Sequence, residues 1–231
     1  MSESRNLATQ TNEALKAIIQ RVKIDASYIY TTDTLLDEKV HFLAAHCTRV
    51  LDVGKSSRHR YQFFTAGQVV TMDINQFDNY PDIVDDICNI QSIPFDSFEG
   101  VICMAVLEHV YDPVNAVKNL FAILKPGGYF LGYVPFLYPY HAPKTLVYQD
   151  FYRFTRDGIA YLFRDFGDVT LYPCRGRYST ILNLLGGWKA RIERRFGQRL
   201  NRWIDRMGSF LRSSEPGTLQ VSGYYIWAIK Q

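Results

Sequence analysis

Cysteine is scarce, with four in 231 residues at Cys47, Cys88, Cys103 and Cys174, and no two of them lie close together. The absence of a close pair argues against both a thiolate metal site and a disulfide framework, and leaves buried thiols as the expectation. Long apolar runs are missing too. Nothing approaches the roughly 20 residues of a membrane-spanning helix. The start, MSESRNLATQTNEALKAIIQ, has neither the basic segment nor the apolar core of a signal peptide, so a cytoplasmic chain is expected. Repeats, low-complexity tracts and Pro/Gly-rich linkers are also absent, and nothing divides the chain. What is present is 47% hydrophobic and 15% aromatic residues, enough for one sizeable core and one elaborated domain over 1–231.

The net charge of +3 hides an asymmetry. Between Arg175 and Arg212 ten Lys/Arg face only Glu193 and Asp205, a local +8 that leaves the remainder at −5. Within it Trp188, Ile192, Phe196, Leu200, Trp203, Met207 and Leu211 recur every three or four residues, with Arg191, Arg194, Arg195, Arg199, Arg202 and Arg206 largely on the other faces. That spacing predicts a basic amphipathic helix over 187–213, interrupted at Gly197 or Gly208. It has two uses: a peripheral contact with an anionic membrane surface, or a cap packed on the domain with its arginines solvated. No nucleic-acid motif accompanies it, and no nucleic-acid partner is expected.

The chain is organised around Phe98–Phe136. Gly100–Met104 is a short apolar run of the kind buried on both faces of a parallel sheet. Asp112-Pro113 then supplies a helix cap and a first-turn proline, and Val114, Val117, Leu120, Phe121 and Leu124 follow at helical spacing up to the Lys125-Pro126-Gly127-Gly128 stop. Tyr129–Val134 reads as the next strand. This strand–helix–strand unit puts Glu108, His109 and the Pro135-Phe136 loop at the carboxyl end of the sheet, where open α/β folds bind ligands. Upstream, residues 1–24 read as an amphipathic helix and Asp37–His46 as another, together a helical cover over 1–46.

Two earlier strands end in acids. Arg49–Val53 carries Asp52 and runs into Gly54, a turn at which the backbone can approach a ligand and a carboxylate can accept bonds from it. Gln68–Asp73 ends about 20 residues beyond that turn, the spacing at which a carboxylate meets the two hydroxyls of a ribose. Further on, Asp86 stands beside the apolar Ile87, a pairing suited to the amine and face of an adenine.

With Asp52-x-Gly54, Asp73, Asp86-Ile87 and then CMAVLEHVYDPVNAVKNLFAILKPGGYFLGYVPF in order, the chain resembles the class I S-adenosylmethionine-dependent methyltransferases over about residues 47–170. The resemblance implies a Rossmann-like α/β fold: a seven-stranded, mostly parallel sheet with its last strand antiparallel, helices on both faces, a core over 47–174, a helical insertion over 175–218 and the final strand within 219–231, at Gly223–Ile229. It implies S-adenosylmethionine as cofactor, with Gly54 under the methionine moiety, Asp73 and Ile74 at the ribose, Asp86 and Ile87 at the adenine, and Met104 lining the site. Val134-Pro135-Phe136, His141-Ala142-Pro143 and Asp150-Phe151-Tyr152-Arg153-Phe154-Thr155 are similar to bacterial members that accompany glycan assembly, which implies a sugar or lipid-linked acceptor by association only. Two departures stand out. Ser56 and Arg58 occupy positions where the family usually has further glycines. Related O-methyltransferases that hold a metal carry an acid three residues before the position of Glu108, and here that residue is Ala105, so no metal is expected.

Methyl transfer to a hydroxyl needs an in-line approach and a proton acceptor. His109 is the first candidate base with Glu108 as its partner, and His141 is the second. Tyr138 and Tyr152 are candidate acceptor contacts. Arg153 either holds a polar acceptor or docks its segment through Asp150. Two other readings are a methyltransferase-like module without catalysis, argued by the serine-for-glycine loop, and a methyltransferase acting on nucleic acid.

Overall fold

The computed structural model describes residues 2–184, 199–207 and 220–231. Among them eight strands form one sheet: β1 (Lys23–Ile24), β2 (Val50–Val53), β3 (Val69–Asp73), β4 (Ile83–Val84), β5 (Phe98–Met104), β6 (Leu124–Pro135), β7 (Asp168–Cys174) and β8 (Gly223–Ile229). Their spatial order is β1-β7-β8-β6-β5-β2-β3-β4. The final strand, β8, runs antiparallel between β6 and β7, and the other pairings are parallel. The seven expected strands are β2 to β8. The eighth, β1, comes from the amino-terminal segment, which does more than cover the sheet: Lys23 and Ile24 pair with Thr170 and Leu171 of β7.

Five helices have defined bounds: α1 (Ser2–Arg21), α2 (Thr32–His46), α3 (Pro113–Ile123), α4 (Arg156–Leu162) and α5 (Arg177–Leu184). The start of α3 follows from its sequence: the Asp112 carboxylate accepts the Asn115 N–H at 3.0 Å, and Pro113, which has no N–H to satisfy, opens the first turn. Ala116, Val117, Leu120 and Ile123 face inward. Val114, expected on that face, is 38% exposed. On one side of the sheet Leu51, Val53, Val101, Cys103 and Phe130 pack with α3 and α4 residues such as Leu120 and Ala160. On the other, Val50, Ile102 and Leu131 meet Leu36, Val40 and Leu43 of α2. Cys47, Cys88 and Cys103 are buried thiols.

The Lys125–Gly128 stretch, expected as a turn before the strand, is a bulge inside β6. Phe98 pairs with Leu124 but Gly100 pairs with Tyr129, so four β6 residues oppose Glu99 alone. Gly127 takes φ +77°, a left-handed value that glycine adopts without a Cβ clash.

The basic segment falls mostly outside the described residues. Its described part, 199–207, is helical. There Asn201 is buried, while Trp203 is 60% and Met207 50% exposed. None of the described helices is long and apolar enough to cross a membrane.

Candidate active site

The carboxyl ends of β2, β3, β4 and β5 make one rim. β2 delivers Asp52, fully buried, whose two oxygens accept five bonds: from Ser56 N (3.0 Å) and Oγ (2.7 Å), Ser57 N (2.9 Å) and Oγ (2.8 Å), and the Tyr61 hydroxyl (2.6 Å). The turn between them places Gly54 at φ +71° and Lys55 at φ +51°. A Cβ at Gly54 would press on Val106 at 3.2 Å. Ser56 Oγ also accepts the Met104 N–H at 3.2 Å, tying this turn to the end of β5. Directly after Met104, Ala105 is held at φ +54°, a conformation that costs a residue with a side chain of order 1 kcal/mol or more.

Asp73 and Asp86 are built alike. One Asp73 oxygen accepts the Asn75 N–H (3.0 Å) and the other the Tyr80 hydroxyl (2.9 Å). In Asp86 the corresponding donors are the Cys88 N–H (2.8 Å) and the Tyr111 hydroxyl (2.7 Å). Each carboxylate oxygen can accept a second bond, so both acids are oriented but not exhausted. The bond to Asp86 pushes the Tyr111 phenol up to about 12. A cavity of about 390 Å³ opens beneath Tyr80, lined by Lys55, Tyr61, Phe64, Thr71 and Asp82 among others, and it touches none of the histidines described next.

Beyond β5 the chain turns through Glu108 and His109. The segment after β6 folds back over this turn, with Phe151 N and Tyr152 N donating to the Glu108 carbonyl at 2.8 and 3.2 Å. That return brings His141 to His109, their Nε2 atoms 3.1 Å apart. Glu108 is 1% exposed, its Oε1 lies 3.8 Å from each of those nitrogens, and its Oε2 has no partner. Burial pushes the Glu108 carboxyl up to about 7 and holds His109 below its ordinary value. His109 Nδ1 meets the Gln149 carbonyl at 2.5 Å, and His141 Nδ1 lies 3.2 Å from Asp150 Oδ2. Asp150 is clamped in turn by Arg153 through Nη1 (2.5 Å) and Nη2 (2.7 Å), which holds its carboxyl well below the usual range. Tyr138 stands edge-on to His141 at 5.4 Å and Tyr148 lies 4.6 Å from His109.

Residues 51–132 match the model of a family described as a methyltransferase domain. The matched stretch runs from β2 into β6 and marks a methyltransferase domain in this part of the chain. Among solved structures its fold is similar to a SAM-dependent methyltransferase from Archaeoglobus fulgidus, with a TM-score of 0.52 at 15% identity over 85% of this chain and 94% of that one. Lower scores relate it to the N-methyltransferase NodS of Bradyrhizobium japonicum in complex with S-adenosyl-L-homocysteine (0.46, 10% identity, 89% of each chain). The phosphoethanolamine N-methyltransferase 2 of Haemonchus contortus, bound to phosphomonomethylethanolamine and S-adenosylhomocysteine, scores 0.49 at 14% identity over 85% of this chain and 52% of that one. No curated protein sequence matches this chain.

In this chain the expected site residues separate into three groups. Gly54, Asp73, Ile74, Asp86 and Met104 do lie along the strand-end rim, with Ile74 60% exposed and Ile87 buried beneath Asp86. Glu108, His109 and His141 come together although 32 residues separate the two histidines. Two assignments change. Asp52 cannot be a direct ligand contact, because it is fully buried and its carboxylate is consumed by the Ser56–Ser57 turn and Tyr61. Arg153 docks rather than binds an acceptor: besides Asp150, its nitrogens donate to the Tyr138, Pro139 and Tyr152 carbonyls. Tyr152, 37% exposed, donates to the Tyr111 carbonyl at 3.0 Å. Sequence reasoning missed Tyr61, Tyr80 and Tyr111, whose partners lie 7 to 25 residues away. Of the two serines on Asp52, Ser56 was visible only as a departure from glycine and Ser57 was not singled out.

Proposed function

We propose that this methyltransferase transfers the methyl group of S-adenosylmethionine to a hydroxyl of a small polar acceptor, a sugar or a similarly hydroxylated molecule. One observation carries the reading: two histidines whose Nδ1 atoms are each held by an acceptor turn their Nε2 atoms toward the same point beside a buried acid. Such tautomers leave Nε2 as proton acceptor. The acceptor oxygen forms its bond to the methyl carbon as the carbon–sulfur bond breaks, the bonding pair passes to sulfur, and the hydroxyl proton goes to an imidazole Nε2. The exposed rings of Tyr138, Tyr148 and Tyr152 supply flat apolar faces with polar tips, the surface on which a sugar ring packs. On the cofactor side the reading takes Gly54 and Met104 beside the methionine moiety, Asp73 with Ile74 at the ribose and Asp86 with Ile87 at the adenine.

Two measurements test it. Calorimetry should show S-adenosylmethionine binding that Asp73→Ala weakens by about 1.5–3 kcal/mol, the worth of hydrogen bonds to a charged group. No binding by the wild type at millimolar cofactor would favour a catalytically inert module instead. Against a panel of hydroxylated acceptors, His109→Ala or His141→Ala should lower the rate by about 10²–10⁴-fold with cofactor affinity unchanged. Two fully active variants would remove the base from the mechanism.

The same proposal takes the basic stretch around 199–207 as a contact with an anionic lipid surface that brings the enzyme to a lipid-linked acceptor. It is supported by Trp203 and Met207 standing exposed on the helix that carries Arg199, Arg202 and Arg206. Co-sedimentation with anionic vesicles should fall as salt rises, and an absence of binding at low salt would leave a packed cap.

A further inference from the structure

Three lone-pair donors converge: His109 Nε2, His141 Nε2 and Glu108 Oε1 lie within 3.8 Å of one another. His109 Nδ1 faces the Gln149 carbonyl at 2.5 Å, and His141 Nδ1 faces Asp150 Oδ2 at 3.2 Å and the Pro139 carbonyl at 3.3 Å. All three are acceptors, so in the neutral rings each Nδ1 carries the proton and each Nε2 is left bare. Two bare nitrogens 3.1 Å apart repel unless something positive lies between them. The third donor, Glu108, is 1% exposed and leaves Oε2 without a hydrogen-bond partner, a cost of roughly 1–3 kcal/mol or more for a buried polar atom.

The geometry points to a divalent transition-metal ion bound by Glu108, His109 and His141, a site not expected while Ala105 stands where an additional acid would be. A triangle with sides of 3.1, 3.8 and 3.8 Å has a circumradius of about 2.1 Å, which is the length of a zinc–imidazole or zinc–carboxylate bond. An ion at that point reaches all three atoms without moving any of them. The outer groups are those that metal-bound histidines need: a carbonyl on one Nδ1, and on the other a carboxylate fixed by the Arg153 clamp. Two nitrogens and one oxygen suit zinc, manganese or cobalt rather than calcium or magnesium. Three protein donors leave coordination positions open, and Tyr138 and Tyr148 flank them, so an acceptor hydroxyl is the group that would complete the sphere. This last point rests on the proposed hydroxylated acceptor but replaces the imidazole base, because with the ion bound both Nε2 lone pairs are ligands and the ion takes over the lowering of the hydroxyl's pKa; the binding of the ion rests on neither.

The test uses the full chain, stripped with a chelator and titrated calorimetrically with zinc, manganese and cobalt chlorides. One equivalent should bind, and Glu108→Gln and His141→Asn should each weaken binding by at least about 10-fold, the smallest loss that even outer-group changes cause. His46→Asn, on α2 and outside the cluster, should change nothing. The wild type supplies a second readout that does not depend on the folding of a cluster variant. Diethyl pyrocarbonate followed by peptide mass analysis should modify His141 in the stripped chain and much more slowly after the metal is restored, with exposed His59 reacting equally in both. Absence of stoichiometric binding would overturn the inference and leave a free histidine as base. So would binding that survives both substitutions without protecting His141. Tight, cluster-dependent binding in a protein that methylates no hydroxyl would support the metal site while defeating the acceptor proposal.

Discussion

Asp52 and Glu108 are both buried acids at the carboxyl end of neighbouring strands, and they have opposite surroundings. Asp52 is encircled by five donors, all from the nine residues that follow it. Glu108 faces two imidazole acceptors, one of them from a distant loop, and one of its oxygens is unpartnered. Burial costs a carboxylate the same desolvation in either place, so the difference lies in what repays it. Donors within the chain make Asp52 part of the scaffold. Their absence makes Glu108 a place that needs something from outside.

The sharpest way to break the comparison is Asp52→Ala, which strands the Ser56, Ser57 and Tyr61 donors and should cost about 3–5 kcal/mol in chemical denaturation, as loss of one partner in a buried charged network does. A loss within experimental scatter would show that water repairs the turn. Next is Arg153→Lys. A lysine cannot reproduce the two-pronged hold on Asp150, so methyl transfer should fall by about 1.5–3 kcal/mol of barrier while cofactor affinity stays put. Equal losses in both would mean that the whole rim has moved. Paired amide substitutions sharpen the contrast through their sign. Asp52→Asn should destabilise, because an NH2 then confronts donors, whereas Glu108→Gln should stabilise the metal-free chain by about 1–2 kcal/mol by removing an uncompensated buried acid. The same sign for both would erase the distinction.

A third acid, Glu99, gives the smallest effect. Burial pushes its carboxyl up, but Lys125, the Thr48 hydroxyl and the Arg49 N–H outweigh that and hold it below its ordinary value. Its folded pKa is therefore lower than its unfolded one, so its contribution is full above about pH 4.3 and is lost as pH falls below that. The acid is 24% and the lysine 45% exposed, which limits the effect to about 1 kcal/mol or less. Glu99→Gln should flatten stability between about pH 5 and 3; an unchanged slope would assign acid sensitivity to other carboxylates.

What could be read from the sequence was local. The strands at Val50–Val53, Val69–Asp73 and Gly223–Ile229 and the Asp112 cap each rest on neighbours a few residues apart. The acids at the rim were legible because a strand that ends in a turn leaves its last residue there. The convergence of His141 on His109 was not, since it depends on how the Phe136–Thr155 segment returns over β5 through two bonds to the Glu108 carbonyl. Nor was the purpose of Ser56. It looked like a poorer glycine, yet its backbone N–H and hydroxyl supply two of the five bonds on Asp52. A hydroxyl four residues from an acid carries no signature until the backbone conformation is known. The bulge at Lys125–Gly128 reads from the sequence as a stop between helix and strand, because proline and two glycines give the same signal in either setting.

The brevity of the outermost strands has a consequence for the molecule in a crowded solution. β1 and β4 are two residues each and close opposite ends of the sheet, β1 against the middle of β7 and β4 against the last residues of β3. A foreign strand seeking to extend the ladder finds only a short stretch of unpaired amides at either rim, too little to hold it in register. Removing the amino-terminal segment through Ile24 would uncover Thr170 and Leu171 in the centre of β7, and with them a continuous seven-residue template. The first consequence of that truncation should be self-association, ahead of any change in catalysis.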